Sequence, residues 1–278
     1  VRRRGRVASG AADVDFLLQR VAGDMVERVA VVQRSFPLAA DIGAHHGVLA
    51  RALVGAENVG TVISVDAAAP LLAGAPGPKL VADEEALPFA DGSLDLAVSA
   101  LSLQLVNDLP GTLAQIRRAL KPDGMLLAAM LGGATLTELR QAWLAAEAEV
   151  EGGASPRVAP FVDVRQAGAL LQRAGFALPV VDSETLTVTY ASPLALMREI
   201  KAMGVSNMLR SRRRQPVRRE TLARAAAIYA GRFGTSDGRV PATFEIVTMT
   251  AWVPHDSQPR PLEPGSAQVS LAQVLGKL

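Results

Sequence analysis

The run Leu38-Ala39-Ala40-Asp41-Ile42-Gly43-Ala44-His45-His46-Gly47 constrains the fold more than any other part of the chain. Its apolar stretch closes on an acid, continues through two glycines, and is followed by a second apolar stretch, Val62-Ile63-Ser64-Val65-Asp66. That pattern predicts strand, loop, helix and second parallel strand, because parallel strands need a crossover between them. Glycine lets the loop turn tightly and approach a ligand that a Cβ would block. Asp66, at the end of the second stretch, stands where a carboxylate accepts hydrogen bonds from ribose hydroxyls.

The kind of nucleotide follows from charge. A dinucleotide fingerprint reads Gly-x-Gly-x-x-Gly, whereas this loop reads Asp41-x-Gly43-x-x-x-Gly47. An acid at the strand end repels a bare pyrophosphate and suits a cation. S-adenosylmethionine, with its ammonium and sulfonium, is the expected cofactor. Ala82-Asp83-Glu84-Glu85-Ala86-Leu87-Pro88-Phe89 offers carboxylates beside apolar groups for an adenine, and Ser93 to Ser99 reads as a further strand ending at the same edge. The expected cofactor contacts are Asp41, Gly43, His45, Gly47, Asp66, Ala67, Asp83, Glu84 and Ser99.

Together with Leu120-Lys121-Pro122-Asp123-Gly124, these segments resemble the motif series of class I S-adenosylmethionine-dependent methyltransferases. More narrowly, Ala82 to Phe89, Leu101 to Pro110, Glu151-Gly152-Gly153-Ala154-Ser155-Pro156 and Val240-Pro241-Ala242-Thr243-Phe244 resemble the respiratory complex I assembly factor 5 family and its bacterial relatives. The likeness runs from about Asp15 to about Leu271. It implies a methyltransferase fold whose mitochondrial members are tied to arginine hydroxylation on a complex I subunit, so the fold does not by itself dictate methyl transfer. Two departures stand out. The middle glycine usual in the loop is His45 here, a residue type that tolerates positive φ. Relatives tend to carry His-Trp where this chain has Gln104-Leu105, so no role of that pair is carried over.

Composition narrows the alternatives. The 278 residues suffice for one large α/β domain with an insertion. With 49% hydrophobic and 20% charged residues the chain is not disordered, and 4% aromatic residues give few stacking platforms for nucleic acid. The chain has no cysteine, which excludes disulfides, thiolate metal sites and a cysteine nucleophile. No apolar run has the roughly eighteen residues a membrane span requires, so the expectation is a soluble or at most peripheral protein. The basic start, Val1-Arg2-Arg3-Arg4-Gly5-Arg6, reads as part of a short helical cap, with the remnant of an organellar transit peptide as the other reading. The expected location is cytoplasmic in a bacterium, with the mitochondrial matrix as the alternative.

Along the chain, residues 1–34 are expected to form an N-terminal helical cap, 35–190 with 241–256 the core, 191–240 a helical insertion, and 257–278 a tail. Apolar residues at Leu17, Leu18, Val21, Met25, Val29 and Val32 predict a lid helix over Phe16 to Val32. Strands are expected near 38–42, 61–66, 79–82, 94–99 and 124–131, with Pro-Asp-Gly turning the chain before the fifth. Val180 to Tyr190 and Thr243 to Val253 complete a seven-stranded, Rossmann-like doubly wound sheet with one antiparallel strand. In the insertion, Leu222, Ala225, Ala226, Tyr229 and Phe233 make one helical stripe and Leu194, Met197 and Ile200 another, which marks it as a substrate cover.

Methyl transfer needs alignment, exclusion of water, and a base only where the acceptor loses a proton. The catalytic candidates are Ser99, Gln104 and His46, with Ser102 and Asn107-Asp108 as further orienting groups. Asp108 has an equally good plain role as the cap of a helix starting near Leu109. His45 is read as shaping the loop rather than moving protons, and adjacent His45 and His46 make no metal site. Arg210, Arg212, Arg213, Arg214, Arg218 and Arg219 form a basic run. It reads as a solvated approach to a helix near Glu220, with an anionic lipid, an acidic partner or RNA as the alternative occupants. The Glu151 to Arg157 segment is read as a gate. The partner expected from the resemblance is a protein such as a complex I subunit, with no strong nucleic-acid signal. Two other functions compete: small-molecule or carrier-protein O-methyl transfer, and a cofactor-less assembly chaperone.

Overall fold

The computed structural model describes residues 5–6, 8–209 and 211–259, with 266, 269 and 276 beyond them. Most of the basic start, Arg210, and most of the 257–278 tail lie outside the described residues. Seven strands form one sheet: β1 Phe36–Ile42, β2 Val59–Val65, β3 Lys79–Leu80, β4 Leu94–Ala100, β5 Leu120–Leu131, β6 Ala177–Tyr190 and β7 Val240–Trp252. They stand in the order β3-β2-β1-β4-β5-β7-β6. The first five are parallel, and β7 runs antiparallel to both β5 and β6. The α-helices are α1 Phe16–Ala30, α2 Val48–Leu53, α3 Ala69–Leu72, α4 Leu109–Ala119, α5 Thr137–Glu151, α6 Val164–Arg173, α7 Pro193–Ala202 and α8 Arg219–Phe233.

The central strands are apolar on both faces, as a sheet covered by helices requires. Two cores result. On one face α1, α2, α5 and α8 pack around Met25, Val98, Leu127 and Tyr229; on the other α4 and α6 pack around Ile42, Ile116, Leu126 and Leu171. All eight of these residues are sealed from solvent.

Helix α1 covers the sheet with the expected stripe: Met25 and Val29 are fully buried, and Arg28 grips Asp182 of β6 with two bonds of 2.7 and 2.9 Å. Three expectations need correction. Pro122-Asp123-Gly124 lies inside β5, not before it. The pairing jumps from Leu94↔Leu120 to Leu96↔Met125, and Asp123 adopts φ 63°, so the three residues bulge out of a longer strand. In α7 Pro193 and Leu196 are buried and Met197 and Ile200 pack against the core, whereas Leu194 is 43% exposed, so one member of the expected stripe faces outward. The basic run is partly tied down: Arg213 and Arg218 reach Glu151 at the end of α5, at 3.0 and 3.5 Å. Among the described residues no helix is long and apolar enough to cross a membrane.

Candidate functional site

Right-handed crossovers bring the ends of β1, β2 and β4 to one edge of the sheet, the place where α/β folds collect ligands. There the 43–47 loop is shaped by sterics. Gly43 has φ 74°, and a Cβ on it would overlap the side chain of Ser102 and press on Glu84. Gly47 has φ 80°, and a Cβ would come within 2.6 Å of the Ala75 backbone. His45 between them takes φ 53°, so a non-glycine residue does keep the turn. Its N–H donates to Asp66 Oδ2 at 3.0 Å, while Asp66 Oδ1 accepts from the Ala68 N–H at 2.8 Å. Asp66 is fully buried and clasps the loop from below.

Asp41 is also buried, at 1% exposure, and neither of its oxygens makes a hydrogen bond of normal geometry. Burial pushes its carboxyl up to about 7; the Ala50 N–H pulls the other way and the charge of Asp66 adds a smaller push upward. A carboxylate in that state gains from a cation placed nearby.

Beyond the loop lies a cleft of about 450 Å³. His45 and His46 line it from the loop, Asp15 and Leu18 from the start of α1, Gln104 and Asn107 from the segment after β4, Arg157 and Phe161 from the 152–163 segment, and Ile200, Met203 and Asn207 from the insertion. Three residues held at positive φ without being glycine line it as well: His45, Leu101 (φ 52°) and Leu136 (φ 54°). Their backbones are fixed by neighbours, with the Leu101 N–H on the Ala129 carbonyl at 2.8 Å and the Leu136 N–H on the Thr243 carbonyl at 2.7 Å. Backbone strain that gathers around one cavity marks a functional place.

The structure sorts the sequence candidates. His46 reaches Asp15 through Nε2 at 2.9 Å, and Gln19 supports the other Asp15 oxygen at 2.6 Å. Gln104 lines the cleft with its Nε2 donating to the Leu101 carbonyl. Ser99 does not face an acceptor: it is fully buried and its hydroxyl donates to the Ile42 carbonyl at 2.7 Å. Asp108 caps α4 by accepting from the Gly111 N–H at 2.9 Å, which is its plain role. Asp83 is exposed and accepts from the Glu85 N–H, while Glu84 is buried against Ser102 at 3.1 Å. Ala67, half-buried, follows Asp66 directly. Of the expected contacts, Asp41, Gly43, Gly47, Asp66, Ala67, Asp83, Glu84 and Ser99 are absent from the cleft wall, and only His45 and His46 bridge from the loop to it.

Sequence reasoning missed Asp15 and the pair Glu147–Arg157. Asp15 directly precedes α1 and looks like an ordinary helix cap, although its side chain caps nothing. Nothing in the local pattern ties Glu147 to Arg157, because a loop separates them. Among the described residues no cluster of histidine, aspartate or glutamate is arranged to hold a metal ion.

A glycine loop between a buried acid and an acid-terminated second strand, in a sheet ordered 3-2-1-4-5-7-6, defines a protein of the class I methyltransferase fold. The family described as "Methyltransferase domain" matches residues 40–128. The chain is 44% identical over 265 residues to arginine-hydroxylase NDUFAF5, mitochondrial, of Mus musculus, covering 94% of this chain and 77% of that protein. It therefore belongs to the NDUFAF5 family. It is also 38% identical over 261 residues to malonyl-[acyl-carrier protein] O-methyltransferase of Halorhodospira halophila, covering 91% and 86% of the two chains. A solved structure of a putative methyltransferase from Bacillus halodurans superposes with a TM-score of 0.58 at 17% identity, over 83% of this chain and 97% of that one, which supports the fold.

Proposed function

We propose that this chain binds S-adenosylmethionine on the 43–47 loop and uses the adjoining cleft to modify an arginine-bearing protein substrate, a subunit of respiratory complex I. One observation carries the reading. The loop is clasped on one side by Asp66, the residue suited to ribose hydroxyls, and leads on the other through His45 and His46 into the adjoining cleft. The residues fit the cofactor: the Gly43 cradle admits no Cβ, Asp66 places a buried carboxylate under the loop directly after β2, and Asp41 places a second buried carboxylate near the end of β1. Asp66 would hold the ribose, Glu84 and Leu87 would border the adenine, and Asp41 would favour the cationic end through its charge.

When bound, the cofactor supplies an electrophilic methyl group. The chain's own residues do the rest. Apolar side chains such as Leu18, Leu105 and Phe161 exclude water. Asp15 holds His46 through Nε2, which leaves Nδ1 as the nitrogen able to take a proton from the acceptor. The arginine substrate is supported by the name of the NDUFAF5 relatives, and the complex I subunit by the resemblance of the Glu151 to Pro156 and Val240 to Phe244 segments.

Calorimetric titration with S-adenosylmethionine tests the first half, with S-adenosylhomocysteine as control. Micromolar binding is expected for the wild type and a loss of at least about tenfold for Asp66→Ala. Asp66→Asn retains an acceptor for the loop and separates loss of contact from loss of fold. Absence of binding to the folded wild type overturns the reading and favours the chaperone. Mass spectrometry of the complex I subunits after incubation then reads the product, an added methylene for methyl transfer or an added oxygen for hydroxylation.

A further inference from the structure

The cover of the cleft contains a cation site that the chain itself fills. Trp143 and Glu147 are one turn apart on α5, so they share a face of that helix. Glu147 is 1% exposed, and both of its oxygens are engaged by the segment that follows. Oε2 accepts from the Ser155 N–H at 2.6 Å and from the Ser155 hydroxyl at 2.9 Å. Oε1 accepts from Arg157 Nε at 2.6 Å and from Arg157 Nη2. The guanidinium carbon of Arg157 sits 4.9 Å from the centre of the Trp143 ring. A carboxylate that takes two N–H bonds, with an aromatic face alongside, supplies the complement of a guanidinium on both counts.

Two facts connect this pocket to the cleft. Arg157 lines the cleft, and it is the one arginine or lysine among the described lining residues. The segment that carries it begins at Gly152 and Gly153, both exposed, where an added Cβ would meet nothing within 4 Å.

We propose that Trp143 and Glu147 form a binding site for the guanidinium group of a substrate arginine, filled by Arg157 in the free protein and yielded when the substrate enters. This deepens the proposed function and rests on its arginine substrate. Exchange of one guanidinium for another keeps the buried Glu147 paired at both ends of the step, which a simple opening of the segment would not. Arg157 lines the cleft and stands between it and the buried Glu147, so the carboxylate becomes available to an incoming arginine only when Arg157 leaves. A lysine ammonium lacks the planar fork and is discriminated against.

The test uses Arg157→Ala in the full chain, with N-acetyl-L-arginine amide as probe and N-acetyl-L-lysine amide as control, read by thermal melting and calorimetry. The variant is expected to melt below the wild type, to be restored by the arginine amide alone, and to bind it at least about tenfold more tightly than the wild type does. Adding Trp143→Leu or Glu147→Gln to the variant is expected to remove that gain. Equal responses to the two amides, or a gain that survives Glu147→Gln, overturn the proposal. If Arg157→Ala does not fold alone, its refolding yield gives the same answer: recovery with the arginine amide only supports the site, and no difference between the amides overturns it. If the wild type binds malonate and Arg157→Ala loses that affinity without gaining any for the arginine amide, Arg157 is an anion contact and the proposal fails. None of these measurements uses S-adenosylmethionine, so their outcome is separate from that of the cofactor titration.

Discussion

Two carboxylates of this protein are equally buried, at 1% exposure, and are treated in opposite ways. Asp41, near the end of β1, has no hydrogen bond of normal geometry to either oxygen and is pushed toward its neutral form. Glu147, on α5, is saturated by Ser155 and Arg157. The surroundings differ in the same way. The loop after Asp41 is held by main-chain bonds and steric necessity, with the N–H groups of Gly43 and Ala44 both on the Val65 carbonyl at 2.8 Å. The cover near Glu147 is held by side-chain pairs: Arg157 and Ser155 on Glu147, Thr221 on Glu151 at 2.6 Å, Asn207 on the Pro156 carbonyl at 2.6 Å. A backbone-fixed element has one geometry, whereas paired side chains can change partners. The first suits a cofactor of constant shape and the second a substrate that must enter and leave.

The largest effect is expected where the loop has no freedom. Gly43→Ala places a methyl group into Ser102 while keeping a φ that L-residues disfavour. Overpacking of about 1–3 kcal/mol and left-handed strain of about 1–2 kcal/mol add to roughly 2–5 kcal/mol, a large part of a domain's stability. Denaturant unfolding is expected to show that loss, together with loss of cofactor binding in any protein that still folds. A cost below about 1 kcal/mol would mean that Ser102 moves aside and that the loop is as adaptable as the cover.

A smaller effect, of opposite sign, is expected at Asp41. Its carboxyl titrates near 7 in the folded protein against an ordinary value of 3.8, with burial as the main cause. The folded state therefore binds the proton more tightly than the unfolded state. That contribution is fully present below about pH 4, falls as pH rises toward 7, and is gone above it. A shift of this size corresponds to about 4 kcal/mol when fully expressed, and relaxation of the buried site reduces it to an expected 2 kcal/mol or so. Asp41→Asn is expected to remove the slope between pH 4 and 7 and to be the more stable protein at pH 8. Equal pH slopes in the two proteins would show that Asp41 is paired after all.

What the sequence reveals follows the same division. Apolar runs ending in acid or glycine locate β1, β2 and β4, and the glycines of the loop are legible because a single residue meets a local backbone demand. The stripe through Ala225 and Tyr229 is legible for the same reason, since helical period alone decides which face is buried. The bulge at Pro122-Asp123-Gly124 is not, because turn residues read the same way at a strand's start and within it; pairing with Leu94 and Leu96 decides. The inward direction of Ser99 is set by strand alternation and the Ile42 carbonyl, neither of which marks the residue as non-catalytic in the sequence. Least legible are Asp15 with His46 and Glu147 with Arg157, pairs created when separate segments meet over the sheet edge. The site is therefore visible as far as the loop, and its cover is not.

The smallest effect gives the cleanest comparison, because Gly152 shares the backbone angle of Gly43 without its neighbours. Gly152 ends α5 at φ 70°, against 74° for Gly43, and a Cβ on it would meet nothing within 4 Å. Gly152→Ala therefore isolates the left-handed strain from the packing clash. It is expected to cost about 1 kcal/mol, at the low end of that strain, and to leave cofactor affinity unchanged, since the residue lies in the cover and not in the loop. Unfolding curves for the two alanine variants, measured side by side, divide the Gly43 penalty into its parts. A difference of several kcal/mol means that Ser102 fixes the loop. Similar costs would mean that the conformation alone does, and the contrast between rigid loop and exchangeable cover would then rest on the side-chain pairs of Glu147 and Glu151.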